Sequence, residues 1–288
     1  MALSPPGTAK LPPAHPAAAA PDLNEREFAR VCAITYGESG IKLGPGKEGL
    51  VRGRLAKRVR AVGLDSFAEY LRLVESEAGR AELAEMVDAL TTNKTNFFRE
   101  SAHFDFLGGT VLPALAAAGG PARIWSAGCS SGEEPYTLAM VACERLAQPE
   151  RLPVRILATD LSARVLARAR AGVYTAEQLD GVPPAALEKY FERAPEAGPS
   201  ARRVGARARG LVKFGRLNLM GAWPMRGPFE AILCRNVMIY FDKETQERLV
   251  NRYHELLAPG GYLFVGHSES LTGLRHPFTY VQPAVYRK

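Results

Sequence analysis

The 288-residue sequence has few cysteines, and they form no recognisable pattern. The four cysteines lie far apart without a CxxC pair, which argues against a disulfide framework and a zinc site and indicates small buried side chains in a reducing compartment. The five histidines also lack metal-ligand spacing, so we predict no bound metal. No apolar run approaches the roughly 18 residues of a membrane span, and the N-terminus has no secretory signal pattern. We therefore expect a cytoplasmic protein.

The positive charge is concentrated in two stretches of the chain. The formal net charge is +7, and residues 42–60 and 193–216 each contain seven basic residues and one acidic residue, which leaves the remainder mildly acidic. Such basic surfaces attract an anionic macromolecule. Nucleic acid and an acidic protein helix both fit this charge.

Composition and periodicity divide the chain into regions. Residues 1–21 are mostly proline and alanine, which predicts a disordered tail. Residues 22–95 have apolar side chains at helical spacing and predict four short helices in a small all-α domain. From residue 121 to 288 strands alternate with helices, which predicts a parallel α/β sheet with helices on both faces. We assign residues 96–120 to a linker and residues 173–215, rich in proline, glycine and arginine, to a small inserted subdomain.

The turn after the first predicted strand carries two acids. It runs from Ser126 to Pro135, with Glu133 and Glu134 at the start of the next helix. Small residues in this turn let a ligand approach the backbone closely, and the GxGxxG motif of dinucleotide sites is absent. Carboxylates here would repel phosphates, so a cofactor with a cationic end suits the turn better. The alternative is a plain tight turn before an acidic helix start.

Three further segments carry candidate ligand-binding side chains. Asp160 ends the second strand, where an acid accepts both ribose hydroxyls of an adenosyl group, although it would serve equally as a helix N-cap. Residues 91–100, TTNKTNFFRE, lie at the domain junction, where ligand clefts form, although their composition also fits a polar linker. Residues 234–241, CRNVMIYF, place polar side chains at the carboxyl edge of the sheet. These candidates are Asn93, Thr95, Arg99, Asp160, Arg235, Asn236 and Tyr240.

Taken together, these segments resemble the chemotaxis-receptor glutamate methyltransferases, the CheR family. The matching stretches are LTTNKTNFFRE, RIWSAGCSSGEEPYTLAM, ILATDLSARVLARARAGVY, YFER, LNLM, FEAILCRNVMIYFDKETQERLV and LAPGGYLFVGHSESL. They occur in order and leave only the N-terminal tail without a counterpart. Departures from the family pattern are small, since Cys129 and Ser131 lie in a turn that is usually rich in alanine, serine and threonine.

The resemblance implies a fold class and an activity. The fold is α/β, with a small N-terminal all-α domain and a Rossmann-like class I methyltransferase domain that contains a small inserted β-subdomain. The activity is methyl transfer from S-adenosylmethionine to glutamate carboxylates of a methyl-accepting chemotaxis protein, which gives methyl esters and S-adenosylhomocysteine. A glutamate with an ordinary pKa near about 4.3 is ionised at neutral pH, so attack needs no general base. The sequence shows no Ser/His/Asp or Cys/His arrangement, which suits this reaction.

The resemblance also implies roles for single residues. Arg99 and Tyr240 would be the catalytic residues near the transferring methyl group, where a guanidinium can fork to a carboxylate. Glu134 would contact the cofactor, with Glu133 as its close rival. The implied cofactor-binding residues are Asn93, Thr95, Arg99, Glu134, Asp160, Asn218, Leu219, Arg235 and Asn236.

Partner surfaces follow from the resemblance as well. The basic helix around Arg52–Arg60 would contact the cytoplasmic helices of a receptor. The inserted subdomain resembles one that docks a receptor C-terminal peptide in some family members, which stays open for this chain. We expect a monomer without a nucleic-acid partner or membrane insertion. Two alternatives are a nucleic-acid methyltransferase, although the basic stretches lack interleaved aromatic residues, and a non-catalytic module that binds the cofactor or its product.

Overall fold

The computed structural model describes residues 21–145 and 153–288, which form an N-terminal helical domain and an α/β domain. The predicted disordered tail therefore lies outside the described residues, except for Pro21. Among the helices of the described ranges, none is both long and apolar enough to cross a bilayer.

Four helices form the N-terminal domain, as the apolar spacing predicts. They are α1 (Glu25–Ser39), α2 (Glu48–Ala61), α3 (Phe67–Glu75) and α4 (Arg80–Leu90). Asn24 caps α1 in a capping box with Glu27, and Ser66 caps α3. The apolar stripes of the helices meet in a buried cluster that includes Val51 and Leu55, and this cluster is the core of the domain.

The stretch 96–120 is largely helical, so its assignment to a linker is wrong. Its elements are α5 (Ala102–Phe106), a π-helical turn (Leu107–Val111) and α6 (Leu112–Ala118). Phe104, Leu107 and Leu112 are buried in the core of the α/β domain. Packing against the sheet stabilises this short helix, and composition alone does not show which apolar residues of a connecting segment find such a partner.

Within residues 121–145 and 153–288, the α/β domain contains ten strands and five further α-helices. The strands are β1 (Ala122–Ala127), β2 (Val154–Asp160), β3 (Val173–Tyr174), β4 (Phe191–Arg193), β5 (Arg202–Val204), β6 (Val212–Arg216), β7 (Phe229–Cys234), β8 (Leu257–Val265), β9 (Thr279–Gln282) and β10 (Val285–Arg287). The helices are α7 (Glu133–Arg145), α8 (Ala163–Ala171), α9 (Pro184–Tyr190), α10 (Ala206–Arg209) and α11 (Lys243–Leu256).

Seven strands form the main sheet, in the order β6-β2-β1-β7-β8-β10-β9. The first five strands are parallel to one another, β10 runs antiparallel to β8, and β9 runs antiparallel to β10. The predicted Rossmann-like sheet is therefore confirmed. Strand order reverses between β1 and β7, which opens a crevice at their carboxyl ends. The register pairs Ala127 with Thr159 and Ser126 with Leu233, which brings the turns after β1, β2 and β7 to one edge.

A second, smaller sheet lies between α8 and β6 along the chain. It has three antiparallel strands in the order β3-β5-β4 and corresponds to the inserted β-subdomain expected at residues 173–215. Phe97 packs edge-on against Phe191 of this sheet, with ring centroids 5.5 Å apart. Both rings belong to the main buried cluster, so the subdomain shares the core of the α/β domain.

The C-terminal stretch is a hairpin rather than the single strand that its apolar pattern predicts. β9 and β10 pair antiparallel on either side of a turn in which Ala284 has a φ of 61°. Pro283 has no N–H to donate to a sheet ladder and interrupts the strand at this turn.

Hydrogen bonds across the junction tie the helical domain to the α/β domain. Asp88 of α4 accepts from the hydroxyl of Ser162 at 2.6 Å, and Ser162 caps α8. Tyr36 of α1 donates to Asp242 at 2.6 Å, and Asp242 caps α11. Both contacts are made at the N-termini of helices that follow parallel strands, so the helical domain covers the carboxyl edge of the main sheet.

Gly132, at the end of the turn after β1, yields a prediction about stability. Its φ is 101°, and an added Cβ would lie 3.1 Å from the Cα of Ala169 on α8. We expect Gly132→Ala to lower the free energy of unfolding by about 2 kcal/mol, because the new residue is strained and backbone blocks its side chain. Urea denaturation followed by circular dichroism measures this change.

The matched control is Gly53→Ala in α2. No atom lies within 4 Å of a Cβ added to Gly53, which is exposed, so the substitution should stabilise the helix by up to about 1 kcal/mol. Equal effects of the two substitutions would contradict the steric argument.

Candidate active site

A cleft lies between the carboxyl edge of the main sheet and the helical domain. Its walls come from the segments that follow α1 and α4 and from the turns that follow β1, β2, β6 and β7. All ten site residues named from the sequence line this cleft, although they come from five separate stretches of the chain. They are Asn93, Thr95, Arg99, Glu134, Asp160, Asn218, Leu219, Arg235, Asn236 and Tyr240.

The turn after β1 brings backbone to the wall of the cleft. Gly128 has a φ of 94°, and a side chain at this position would collide with Val237 of the neighbouring turn. The N–H groups of Gly128 and Cys129 donate to the carbonyl of Thr159 at 2.8 and 2.9 Å. These bonds fix the turn against the end of β2, so a ligand can approach the backbone closely.

Asp160, at the end of β2, is held by donors from the main chain. Its two oxygens accept from the N–H groups of Ser130 at 2.8 Å and Ser162 at 2.9 Å. Burial raises the pKa of Asp160, although these N–H groups oppose the rise. The hydroxyl of Ser130 also donates to the carbonyl of Asn93 at 2.9 Å. Asp160 is therefore fixed at the point where both domains meet, and its carboxylate has the capacity to accept a further hydrogen bond.

The two acids at the start of α7 face different surroundings. Glu134 lines the cleft and accepts from the hydroxyl of Ser126 at 2.7 Å. Glu133 is only 2% exposed, does not line the cleft and accepts instead from the hydroxyl of Ser131 at 2.8 Å. Burial raises the pKa of Glu133. Of the two rivals, only Glu134 can meet a ligand in this cleft.

Arg235 lies under the cleft between two carboxylates. Its guanidinium is 2% exposed and contacts Glu134 at 2.8 Å and Glu100 at 3.1 Å. It also donates to the carbonyl of Arg99. Burial raises the pKa of Glu100, but the charge and hydrogen bonds of Arg235 outweigh it, so the net pKa lies below the ordinary value. Glu100 is a residue that the sequence reasoning missed, although it directly follows Arg99 in the TTNKTNFFRE segment.

Glu269 organises the turn that carries Asn236 and Tyr240. Its carboxylate accepts from the N–H groups of Asn236 at 2.7 Å, Ile239 at 3.1 Å and Gly266 at 2.6 Å. Burial raises the pKa of Glu269, and these N–H groups oppose the rise. Asn236 has a φ of 58°, a conformation that this clamp holds in place. Sequence reasoning missed Glu269 because its partners are main-chain groups, which no side-chain motif reveals.

Exposed cations surround the cleft. Lys42, Lys47 and Lys94 line it and are exposed, and Arg99 is partly exposed. Arg99 donates to the carbonyl of Lys94 at 3.0 Å, and the carbonyl of Tyr240 accepts from the N–H of Lys42 at 2.8 Å. The three lysines were not named as site residues, since only the fold brings the segments after α1 and α4 to the same cleft. An anionic group is therefore attracted to this opening.

Three potential metal ligands meet beside Arg235. Glu100, His103 and His267 each bring a ligand atom within 4.8 Å of the others. Burial and the charge of Arg235 lower the pKa of His103 to about 4, so its imidazole is neutral at pH 7. Arg235 already pairs with Glu100, and its positive charge opposes a cation at this position. The chemistry of this cluster therefore does not favour a metal ion.

Comparison with known proteins identifies the family. Residues 26–91 match the CheR methyltransferase, all-alpha domain, and residues 93–286 match the CheR methyltransferase, SAM binding domain. The chain belongs to the CheR methyltransferase family. It is therefore an S-adenosylmethionine-dependent methyltransferase, and the predictions of an enzyme and of its fold class are confirmed.

Individual relatives of this CheR-family chain agree over almost its whole length. A probable chemotaxis protein methyltransferase of Rhizobium etli is 43% identical over 258 residues, which cover 88% of this chain and 96% of the relative. The chemotaxis protein methyltransferase of Borreliella burgdorferi is 38% identical and covers 93% of this chain and 95% of the relative. That of Escherichia coli is 39% identical, with 92% and 91% covered. The resemblance noted in the sequence is thus confirmed across both domains.

The Arg235 network predicts a large loss of stability when its cation is removed. We expect Arg235→Met to lower the free energy of unfolding by about 3–5 kcal/mol, because it leaves buried carboxylates without a partner. The deficit should be largest at neutral pH, and the part due to Glu100 should be lost as the pH falls from 4.5, the ordinary pKa of a glutamate, through the depressed pKa of Glu100 in the wild type, because protonation of Glu100 ends its ion pair with Arg235. Urea denaturation at several pH values measures both effects.

Arg275→Met is the matched control for this prediction. Arg275 pairs with Glu247 at 2.9 Å, but its side chain is 94% exposed, so its loss should change the unfolding free energy by less than about 1 kcal/mol. A similar loss of unfolding free energy for both substitutions at neutral pH would show that burial does not make Arg235 more important for stability than an exposed arginine.

Proposed function

We propose that this chain transfers the methyl group of S-adenosylmethionine to glutamate side chains of a methyl-accepting chemotaxis protein in the cytoplasm. The products are glutamate methyl esters and S-adenosylhomocysteine. The observation that carries the proposal is the division of charge in the cleft. Asp160 and Glu134 are the largely buried acids, which suits a cationic cofactor, whereas the exposed lysines and Arg99 around them suit an anionic acceptor.

The similar proteins support the same acceptor. The relatives in Rhizobium etli, Borreliella burgdorferi and Escherichia coli carry names that describe chemotaxis protein methyltransferases. A chemoreceptor with exposed glutamates would supply the anionic group that the rim of this cleft attracts.

The residues of the cleft fit S-adenosylmethionine by the chemistry of their side chains. Asp160 would accept the ribose hydroxyls, and Glu134 would face the ammonium group of the methionine end. Asn218 and Leu219 would frame the adenine. Arg235 would support the cofactor site from below the cleft, since its guanidinium is already bonded to Glu100 and Glu134. The remaining side chains assigned to the cofactor are Asn93, Thr95, Arg99 and Asn236, and no metal takes part.

The reaction requires orientation more than proton transfer. The cofactor supplies a methyl group on a positively charged sulfur. An ionised glutamate oxygen forms the new bond to carbon as the carbon–sulfur bond breaks, and the electron pair stays on sulfur. Arg99 would fork to the acceptor carboxylate and Tyr240 would donate its hydroxyl, so that the attacking oxygen lies in line with the breaking bond. No step requires a base, because the acceptor is already ionised.

Receptor binding by α2 is part of the proposal, although fewer of its cations are available to a partner than its sequence suggests. Arg58 pairs with Glu82 at 2.9 Å, and Arg54 donates to the carbonyl of Leu90 at 2.8 Å. Lys57 and Arg60 have no carboxylate within 4.0 Å among the described residues. We propose that these two, with Lys47 at the cleft, attract the acidic receptor helices.

Two further partner assignments belong to the same proposal. The chain would act as a monomer, without nucleic acid and without insertion into a membrane. The three-stranded subdomain sheet ends at β3 and β4, and an open strand edge accepts an extended peptide. A receptor C-terminal peptide is the candidate for this edge.

A methyl-transfer assay tests the proposed function. Radiolabelled S-adenosylmethionine is incubated with the enzyme and with membranes that contain chemoreceptors, and the labelled protein is then treated with mild alkali. We expect label in the receptor that alkali releases as methanol, because only a carboxyl ester is labile under these conditions. Alkali-stable label, or cofactor binding without transfer, would reject glutamate as the acceptor. Transfer to RNA in a parallel reaction would point to a nucleic-acid methyltransferase.

Substitutions at Arg99 and Tyr240 test the proposed catalytic pair. We expect Arg99→Ala to lower kcat on the order of 100-fold, and Tyr240→Phe roughly tenfold, because each removes a donor that orients the acceptor. Arg99→Lys should fall between Arg99→Ala and the wild type, since it keeps the charge but loses the fork. Steady-state kinetics with purified receptor measures these changes.

The controls for this pair are Arg226→Ala and Tyr280→Phe. Both residues are exposed and neither lines the cleft, so kcat should stay at the wild-type value. Unchanged turnover in Arg99→Ala and Tyr240→Phe would remove both residues from the catalytic assignment.

A further inference from the structure

One surface outside the cleft is strongly basic. Helix α8, helix α10 and the last residue of strand β6 carry six exposed cations, and residues 161–171 and 205–216 contain no aspartate or glutamate. Part of this charge belongs to the basic stretch 193–216 of the sequence, whereas the arginines of α8 join it only in the fold. We call this surface the basic face, and its members are Arg164, Arg168, Arg170, Arg207, Arg209 and Arg216.

Hydrogen bonds show that the three elements of the basic face lie side by side. Arg170 of α8 donates to the carbonyl of Phe214 in β6 at 3.3 Å, and Arg209 of α10 donates to the carbonyl of Arg170 at 3.5 Å. These guanidinium groups are therefore held by backbone carbonyls, which leave their positive charge uncompensated. Of the six cations, only Arg164 has a carboxylate within 4.0 Å among the described residues, at Asp88.

The basic face begins at the rim of the cleft. Arg216 directly precedes Leu217 and Asn218, which line the cleft, and it donates to the carbonyl of Leu161 in the same wall at 3.1 Å. From there the face runs along α8 to Arg170. The nine residues of α8 span about 13 Å at 1.5 Å per residue, which equals about two and a half turns of a partner helix.

The composition of the face favours an acidic protein over a nucleic acid. Large exposed apolar side chains occur elsewhere in the described residues, at Tyr36, Leu50, Ile239, Tyr280 and Val281. The basic face thus offers no aromatic platform on which bases could stack. Guanidinium groups instead pair well with carboxylates that project from a helix.

We propose that the basic face is a second docking surface for the acidic helices of the receptor whose glutamate enters the cleft. This inference rests on the proposed function and adds a contact separate from that of α2. The cations of α2 and of the basic face lie on different elements, which reach the cleft at Lys47 and next to Arg216, so an acidic helical bundle over the cleft would meet both. The positive charge of the basic face would raise the rate of encounter with the receptor and the affinity for it, and would leave the chemical step unchanged.

Charge reversal tests the basic face. Arg170→Glu combined with Arg209→Glu should raise the KM for receptor about tenfold at low salt, and the difference from wild type should shrink at high salt because ions screen exposed charges. The kcat and the affinity for S-adenosylmethionine should stay unchanged, since neither residue lines the cleft. Arg170→Gln combined with Arg209→Gln should give a smaller rise in KM, and this pair replaces the reversal variant if reversal disturbs folding.

The matched control reverses two charges elsewhere. Arg226 lies just before the amino end of β7 and Arg287 lies in β10, so Arg226→Glu with Arg287→Glu changes the net charge equally without touching the basic face. The inference predicts a much smaller change in KM for this control.

The outcomes separate the two proposals. If the wild type methylates the receptor but the basic-face variants shift KM no more than the control, the docking surface is wrong and the proposed function stands. If the wild type does not methylate the receptor at all, the proposed function fails first. A gel-shift assay in which the basic-face variants lose binding to single-stranded RNA, while KM for receptor is unchanged, would overturn the inference in favour of a nucleic-acid surface.

Discussion

Arg235 is the constraint on which the floor of the cleft depends. A guanidinium with 2% exposure must have carboxylate partners, because an unpaired buried charge costs several kcal/mol. Its partners come from the segment before α5 and from the first turn of α7. The three chain segments therefore hold one another in register, and the carboxylate of Glu134 is oriented at the cleft wall before any ligand arrives.

The same site joins the two domains. Asp160 is bonded to Ser130 and Ser162, and these serines bond in turn to Asn93 and Asp88 on the helical side. A change in the position of the helical domain would therefore reach the carboxylate proposed to hold the ribose. This arrangement couples the domain that carries the basic helix α2 to the cofactor site without a direct contact between α2 and the cofactor.

Local pattern predicted most of the fold, since helical spacing, strand–helix alternation and strand-end motifs are properties of short segments, and the ten site residues named from the sequence all line one cleft. It failed where packing decides. Residues 96–120 form helix because Phe104 and Leu107 pack in the core, and Arg58 faces Glu82 instead of a partner protein. Glu133 and Glu134 are adjacent in an equally acidic turn, and only the direction of each side chain from α7 separates them.

The sequence by itself determined the family, the alternation of strands and helices around the cleft and the chemical types of the site residues, because motifs record which side chains follow each strand. Only the tertiary structure decided which charges are free. Contacts between distant segments pair the charges of Arg235, Glu100 and Glu269. The side chains of Lys42, Lys47 and the arginines of α8 remain exposed. The reason is physical: whether a charge is paired or available depends on which groups lie within a few ångströms of it, and chain folding alone sets those distances.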